Sequence, residues 1–299
     1  MLNVNVIGKR KIYLSISGVL VGAAILAIIV FGFREGIDFT GGTLWQFKAP
    51  NVAIEDVSKS FVEDLKINDA KLTYDATAGM FFARLKDVTE VEHQDFIKTL
   101  SAKYDGFEEL SFSSIGPSVG ADLRQKSILA LALVLLGISL YIAFAFRKVY
   151  QPISSFKYGI TTLISLLHDV AIPAGLLAIL GYYGTVEIDT NFIVALLVVM
   201  GFSVHDTIVV FDRIRENLLL YRTKKEFGEI INDSVNQTLA RSINTSLTLI
   251  LVLLALLFLG PANLHYFVLT LLVGVTVGIY SSIFVASPLL YVWHKFASR

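Results

Sequence analysis

The sequence predicts an α-helical integral membrane protein with six transmembrane helices and one α+β ferredoxin-like domain outside the membrane, between helices 1 and 2. Three observations carry that prediction. The 299 residues are 55% apolar and only 17% charged, where soluble domains run roughly 45–50% and 25%, and mean hydropathy is +0.67. Long stretches lack formal charge altogether. The net charge of zero, from 25 bases and 25 acids, divides unevenly. Residues 34–126 hold 16 acids and 11 bases, and the remainder holds 9 acids and 14 bases. A mildly acidic soluble insert therefore interrupts a basic, apolar body. This composition argues against a soluble enzyme, a disordered chain and a strongly basic nucleic-acid binder. The absence of cysteine excludes disulfides, thiolate metal sites and Cys nucleophiles.

A membrane span needs about 20 mostly apolar residues. Ile12 to Phe33, between Lys11 and Arg34, meets this for span 1. Ser127 to Phe146 gives span 2, Tyr158 to Val186 span 3 with one internal acid, Asp169, and Thr190 to Phe211 span 4 with Asp206. Ser242 to His294 is 53 residues without a formal charge, too long for one helix. It breaks at Gly260-Pro261-Ala262-Asn263 into spans 5 and 6, because proline cannot continue a helix and Gly or Asn favours its end. The domains expected are 1–33, a terminus with span 1; 34–126, the outer domain; and 127–299, spans 2 to 6 with a cytoplasmic loop at 212–241.

Lys and Arg set the orientation. Lys9, Arg10 and Lys11, then Arg147, Lys148 and Lys157, then Arg213 through Arg241, then Lys295 and Arg299 fall at alternate span ends. The positive-inside rule puts both termini in the cytoplasm and 34–126 outside. Span 1 is too long for a signal-peptide core and reads as an uncleaved anchor.

Within 34–126 the hydrophobic period changes. Thr43–Ala49 alternates as a strand. Ile54, Val57, Phe61 and Leu65 form a helical stripe in Ala53–Leu65. Ala70–Asp75 and Met80–Leu85 are short strands joined by an Ala76–Gly79 turn. Thr89–Tyr104 reads as a helix with a capping box from Thr89 to Glu92 and an apolar face of Val91, Phe96, Ile97 and Leu100. Phe107–Ser113 is the last strand. The order β-α-β-β-α-β is the ferredoxin-like pattern. His93 falls on the predicted polar face of its helix, and no residue pair here has a catalytic pattern.

Two glycine-bearing segments bracket this domain, one containing Asp38, Gly41 and Gly42, the other Gly116, Pro117 and Gly120. They read either as turns or as a hinge that absorbs a domain swing.

Asp169 and Asp206 are the unusual residues, because a carboxylate at mid-bilayer costs roughly 2.5–3.5 kcal/mol on insertion scales. An intramembrane acid is a functional candidate by default. Each follows a histidine, His168 or His205. At 1.5 Å per residue Asp169 lies about 16 Å deep, and Asp206 about 8 Å from the cytoplasmic end of its span. Arg241 opens span 5 at that side and is expected to reach the level of Asp206. It reads either as an ion-coupling partner or as a snorkelling anchor. Opposing charge and desolvation move a carboxyl in opposite directions, so such a pair can bind and release a proton. Neither histidine has companions at zinc-like spacing, and no His-Glu-x-x-His occurs, so no metal or cofactor is expected beyond a transported H⁺ or Na⁺. Asp212 to Asn217 reads as a solvated helix face, and Glu226–Leu239, with Phe227, Ile230, Ile231 and Val235, as an amphipathic stretch lying along the cytoplasmic interface.

Gly201-Phe-Ser-Val-His-Asp-Thr-Ile-Val-Val-Phe-Asp-Arg-Ile-Arg-Glu-Asn217 resembles the signature of the SecF family, subunits of the SecDF accessory complex of bacterial protein export. Asp38 to Gly42, Gly116 to Gly120, His168-Asp169-Val170 and Asn236 to Ser242 resemble SecF segments in the same order. The resemblance covers nearly the whole chain and implies an RND-like half. It implies pairing with SecD as a separate chain, work beside the SecY channel on exported unfolded polypeptide, and a bacterial cell (inner) membrane location amid lipid, with no nucleic acid. It implies a non-enzymatic role in which an essential acid matches Asp206 and an essential arginine matches Arg241. Asp169 and His205 join them as ion-coupling candidates. The alternative class is half of an RND-type small-solute efflux transporter.

Overall fold

The computed structural model describes residues 4–75, 79–147, 153–184, 186–221 and 224–297. The Ala76–Gly79 turn lies largely outside them, as do Lys148 and Arg299. The chain forms two compact units, Glu35–Ser127 and the remainder.

The outer unit contains a single turn, α2 (Ile37–Thr40), then β1 (Gly42–Lys48), α3 (Ile54–Glu63), β2 (Lys71–Asp75), β3 (Met80–Leu85), α4 (Glu90–Lys103) and β4 (Glu108–Ile115). The sheet is antiparallel in the order β2-β3-β1-β4, which is the ferredoxin-like arrangement. Trp45, Phe47, Phe61, Phe81 and Leu100 fill its core. The expected stripe is buried at Val57 and Phe61 of α3, and Leu65, two residues past the end of the helix, is buried with them. The capping box is present: Thr89 N–H donates to Glu92 Oε2 at 2.9 Å and Glu92 N–H donates back to Thr89 Oγ1.

Two expectations for α4 change places. Val91 is 75% exposed, and His93 is 4% exposed. His93 completes the i, i+3, i+4, i+7 stripe with Phe96, Ile97 and Leu100. Its ring stacks on Phe112, with centroids 3.5 Å apart, and its Nε2 lies 2.6 Å from Glu109 Oε2. Trp45 Nε1 donates to that same oxygen at 2.9 Å. The carboxylate makes an otherwise polar ring a good core residue.

The second unit contains the six helices long and apolar enough to cross a membrane: α1 (Arg10–Phe31), α5 (Pro117–Ala145), α6 (Ser155–Tyr182), α7 (Thr190–Tyr221), α8 (Phe227–Leu259) and the continuous run His265–Phe296. The opening residues of α5, up to Ser127, belong to the outer unit. The last run comprises α9 (His265–Ser281), a π segment (Ser282–Ala286) and α10 (Ser287–Ala297). The break expected at Gly260-Pro261 is present, with a short 3₁₀ turn, Ala262–Leu264, after it.

The helices overrun the charge-free stretches. The region 212–241 is not a loop: α7 continues to Tyr221, and α8 begins at Phe227 and runs unbroken into span 5. Phe227–Leu239 therefore does not lie along the interface as a separate element. Its apolar residues Phe227, Ile231 and Val235 pack with Val210, Phe211 and Ile214 of α7, and Asn217 Nδ2 donates to Ser234 Oγ at 2.8 Å. The alternating charges do lie on a helix, as Arg213–Glu216 and Arg215–Asp212 pairs. The segment before α1 is clamped to α8. Asn232 and Asn236, one turn apart, accept from Ile7 N–H at 3.0 Å and Val4 N–H at 2.8 Å.

Candidate functional site

The two glycine segments meet inside the outer unit. Asp38 lies in the α2 turn, and Gly41 and Gly42 follow it with φ of +73° and +111°. A Cβ on Gly41 would stand 2.7 Å from Pro117 Cα, and one on Gly120 would stand 2.8 Å from Gly41 N. No side chain fits at either place. Pro117 to Gly120 is not a turn but the first turn of α5, where proline loses no hydrogen bond.

In the membrane body both acids sit at mid-helix. Asp169 is the fifteenth of the 28 residues of α6, and Asp206 the seventeenth of the 32 residues of α7. They are 0% and 2% exposed. Asp169 Oδ2 accepts from Ser203 Oγ of α7 and from Ser281 Oγ at 2.7 Å, and Ser165 Oγ donates to Ser281 Oγ at 3.1 Å. His168 Nδ1 lies 2.9 Å from Asp169 Oδ1. The ring is buried, and its Nε2 has no partner among the described residues. Asp206 Oδ2 accepts from Ser246 Oγ of α8 at 3.0 Å. Its neighbour Thr207 meets Ser282 Oγ at 2.9 Å. Ser281 and Ser282 stand where α9 gives way to the π segment, a helix irregularity frequent at functional sites.

These contacts place the two carboxylates on one hydroxyl-lined layer. Ser203, which reaches Asp169, is three residues before Asp206 on α7, so the two acids lie within about 4.5 Å of one level along the axis. Glycine lets α9 come this close: a Cβ on Gly278 would lie 3.1 Å from Ser203 Cβ. Serine and threonine hydroxyls both donate and accept. Such a layer can hold a carboxylate charged or protonated by rotating hydroxyls.

Arg241 and His205 are not part of this layer. Both are exposed on the body, and no ion pair joins Arg241 to Asp206 among the described residues. The reason is helical phase. Ser242 and Ser246 share the buried face of α8, and Arg241 stands about 100° away from Ser242. Arg241 instead begins an exposed line with Asn244, Thr245 and Thr248, at i, i+3, i+4 and i+7. Depth suggests the Asp206–Arg241 contact, and rotation about the helix axis denies it within this chain. The serines that hold the acids are absent from the sequence reading. A signal existed, since Ser165 and Ser203 stand four and three residues before Asp169 and Asp206, the spacing of one helical turn.

Comparison with known proteins agrees with this architecture. Residues 96–296 match the family model described as protein export membrane protein SecD/SecF, C-terminal, and residues 26–49 match the SecD/SecF GG motif. The protein translocase subunit SecF of Thermobaculum terrenum is 45% identical over 98% of this chain and 94% of its own. The protein translocase subunit SecF of Anaerolinea thermophila is 35% identical over 97% of this chain and 94% of its own. The crystal structure of SecDF, a translocon-associated membrane protein from Thermus thermophilus, superposes with a TM-score of 0.83 at 34% identity, over 98% of this chain and 39% of that one. With family models covering both the membrane body and the paired glycines, and SecF relatives matched end to end, the chain belongs to the SecF members of the SecD/SecF family of protein export membrane proteins.

Proposed function

We propose that this protein is the SecF-type subunit of a bacterial plasma-membrane SecDF complex. It assists protein translocation by coupling ion movement, of protons or Na⁺, to movement of the outer domain, with both termini cytoplasmic and no catalysis of its own. The observation that carries this reading is the buried pair Asp169 and Asp206, held at mid-membrane by hydroxyls. Buried acids are expensive in a membrane, and no Lys or Arg side chain is recorded against either of these two among the described residues. A carboxyl that alternates between bound ion and rotated hydroxyls gives the expense a use. The drive available is about 2.3 kcal/mol per charge per 100 mV, enough to bias one small rearrangement at a time.

The partner is SecD on a separate chain. Arg241, Asn244, Thr245 and Thr248 form a polar line on the outside of α8, and His205 is exposed on α7. Lipid tails offer such groups no hydrogen bonds, so a protein surface covers them. An SecDF relative from Thermus thermophilus is matched over 91% of this chain and only 36% of its own length, which leaves length for the SecD half. Arg241 then meets a carboxylate across the subunit boundary or through a rotation of α8. The complex works beside the SecY channel on exported unfolded polypeptide, and the clasp of Gly41, Gly42, Gly116, Pro117 and Gly120 is the pivot of the outer domain.

Asp206→Asn tests this. It removes the titratable group and keeps the shape. Export into inverted vesicles should lose its dependence on the ion gradient, falling at least about tenfold, the effect of one 1.4 kcal/mol step, while SecD still copurifies. Undiminished gradient-driven export by Asp206→Asn would overturn the coupling role.

A further inference from the structure

Helix α6 carries a buried polar face that runs past Asp169. Tyr158, Thr161, Ser165, His168 and Asp169 fall within about 100° of one another around the axis, and each is 4% exposed or less. They extend from the first turn of α6 to its middle, about 16 Å. That first turn lies beside the end of α10, where Lys157 Nζ donates to Trp293 C=O at 3.5 Å. Ser165 and Asp169 are bonded to Ser281. The other three each keep an open atom: Tyr158 OH, Thr161 Oγ1 and His168 Nε2 have no hydrogen-bond partner among the described residues.

An unpartnered buried polar atom is costly, and three along one face of one helix call for a use. His93 shows what a structural imidazole looks like in this chain. Its Nδ1 lies 3.4 Å from Glu90 Oε2 and its Nε2 2.6 Å from Glu109 Oε2, so both nitrogens are engaged. His168 engages Nδ1 alone, 2.9 Å from Asp169 Oδ1. An imidazole with one nitrogen on a carboxylate and the other open can take a proton at one end and pass one on at the other.

We propose that His168 is a proton relay for Asp169, and that Ser165, Thr161 and Tyr158 carry the path on to the start of α6. The relay rests on the coupling role proposed above, in its proton form. In release toward the start of α6 the Asp169 Oδ1–H bond breaks as Nδ1–H forms, and the Nε2–H bond breaks as the proton passes on. Uptake is the reverse. The imidazole is neutral before and after release, and the carboxylate is left charged. Neighbours on the face stand about one turn, 5.4 Å, apart, a gap that one water bridges. Hydroxyls both donate and accept, so Ser165 can accept while it donates to Ser281.

Gradient-driven export in vesicles holding the complete complex, read beside the thermal midpoint of the purified full chain, tests the relay. The amide of His168→Asn can keep an N–H toward Asp169 and removes the open nitrogen. This variant should keep SecD and its midpoint while gradient-driven export falls at least about tenfold, since a positioned proton-transfer group contributes roughly 10²–10⁴-fold to the step it serves. Thr161→Val and Tyr158→Phe remove hydroxyls that hold nothing, so the midpoint should stay or rise while export falls in the same direction. A structural role predicts the opposite, a lowered midpoint with export lost only as the fold is lost. Thr270→Val removes a buried hydroxyl bonded within α9 and should leave export unchanged. Parental export by His168→Asn, parental export by both hydroxyl variants, a lowered midpoint that accounts for the loss, an equal loss in Thr270→Val, or equal drive from a Na⁺ gradient at uniform pH would each overturn the proposal. Asp206→Asn in the same vesicles separates the two claims. If it loses gradient dependence and His168→Asn does not, the relay falls and the coupling role stands. The reverse pattern removes Asp206 and leaves the relay to Asp169 standing.

Discussion

In the outer domain the buried side chains are Trp45, Phe47, Phe61 and Phe81, and charges occupy the surface. In the membrane body Val19, Ile29, Leu140 and Leu259 are among the most exposed residues, while Asp169, Ser234, Ser281 and Ser287 are fully buried. The chain is the same and the solvent differs. Water rewards burial of apolar area at about 25 cal/mol per Å², so the outer domain is held by its aromatic centre. Lipid offers no such reward between helices, and packing of small residues with interhelical hydrogen bonds takes over. Polar groups gather inside the body because that is where they find partners.

The largest expected effect tests the aromatic centre. Trp45→Ala should cost about 3–5 kcal/mol, much of the 5–15 kcal/mol typical of a whole domain. The two tryptophans divide between the units, Trp45 in Glu35–Ser127 and Trp293 in the membrane body. Limited proteolysis of Trp45→Ala should cut within residues 35–127, while the emission of Trp293 keeps its native position. A protease-resistant outer domain in this variant would break the contrast.

Next in size are glycines of the body. A Cβ on Gly175 would stand 2.6 Å from Ala24 Cα, so Gly175→Ala forces α6 away from α1 and should cost about 1–3 kcal/mol. Gly137 has nothing within 4 Å of a Cβ. Gly137→Ala should stabilise by roughly 0.5–1 kcal/mol, the ordinary helix preference. Thermal unfolding followed by Trp293 emission compares them. The contrast fails if both shift the midpoint the same way.

How far the sequence spoke also differs between the two regions. In Glu35–Ser127, period 2 and period 3.6 report burial directly, and the four strands and two longer helices are legible within a few residues, whereas the single turn α2 is not. His93 is the exception, because its residue type carries more weight in such a reading than its place in the stripe. In the body, six spans are legible because charge marks the lipid boundary. The helix ends are not, because charge does not end a helix. Caps and packing do, and α5, α7 and α8 overrun the apolar stretches. Asp169 and Asp206 stand out as acids in apolar runs. Their serine partners do not, because serine is common in packed membrane helices for its size alone. Arg241 shows the remaining gap: depth follows from counting residues, whereas facing requires the phase of the neighbouring helix.

The smallest effect concerns the surface of the outer domain, where electrostatics is weak. Thr89→Ala removes the hydroxyl that caps α4 and should cost about 1 kcal/mol. Glu92 accepts from the Thr89 backbone N–H and from its hydroxyl, and these bonds hold its carboxyl below the ordinary carboxylate range. Asp64 beside Lys103, and Asp69 beside Lys86, are lowered in the same direction. A carboxyl lowered by folding stabilises the folded state fully above its ordinary value, 4.5 for Glu92, and loses that contribution as pH falls through the lower folded value. Glu92→Gln keeps the shape of the capping box and removes only the charge. In a Trp293→Phe background, urea midpoints from Trp45 emission should differ between the Glu92→Gln variant and its parent at about pH 7 and converge in acid, once the pH has fallen through the lowered folded value. An equal difference at both pH values would assign the effect to shape rather than charge. Trp293, followed in a Trp45→Phe background, should show no difference between the Glu92→Gln variant and its parent at either pH. That would place the acid sensitivity of this pair in the outer domain alone, where water can reach the carboxyls.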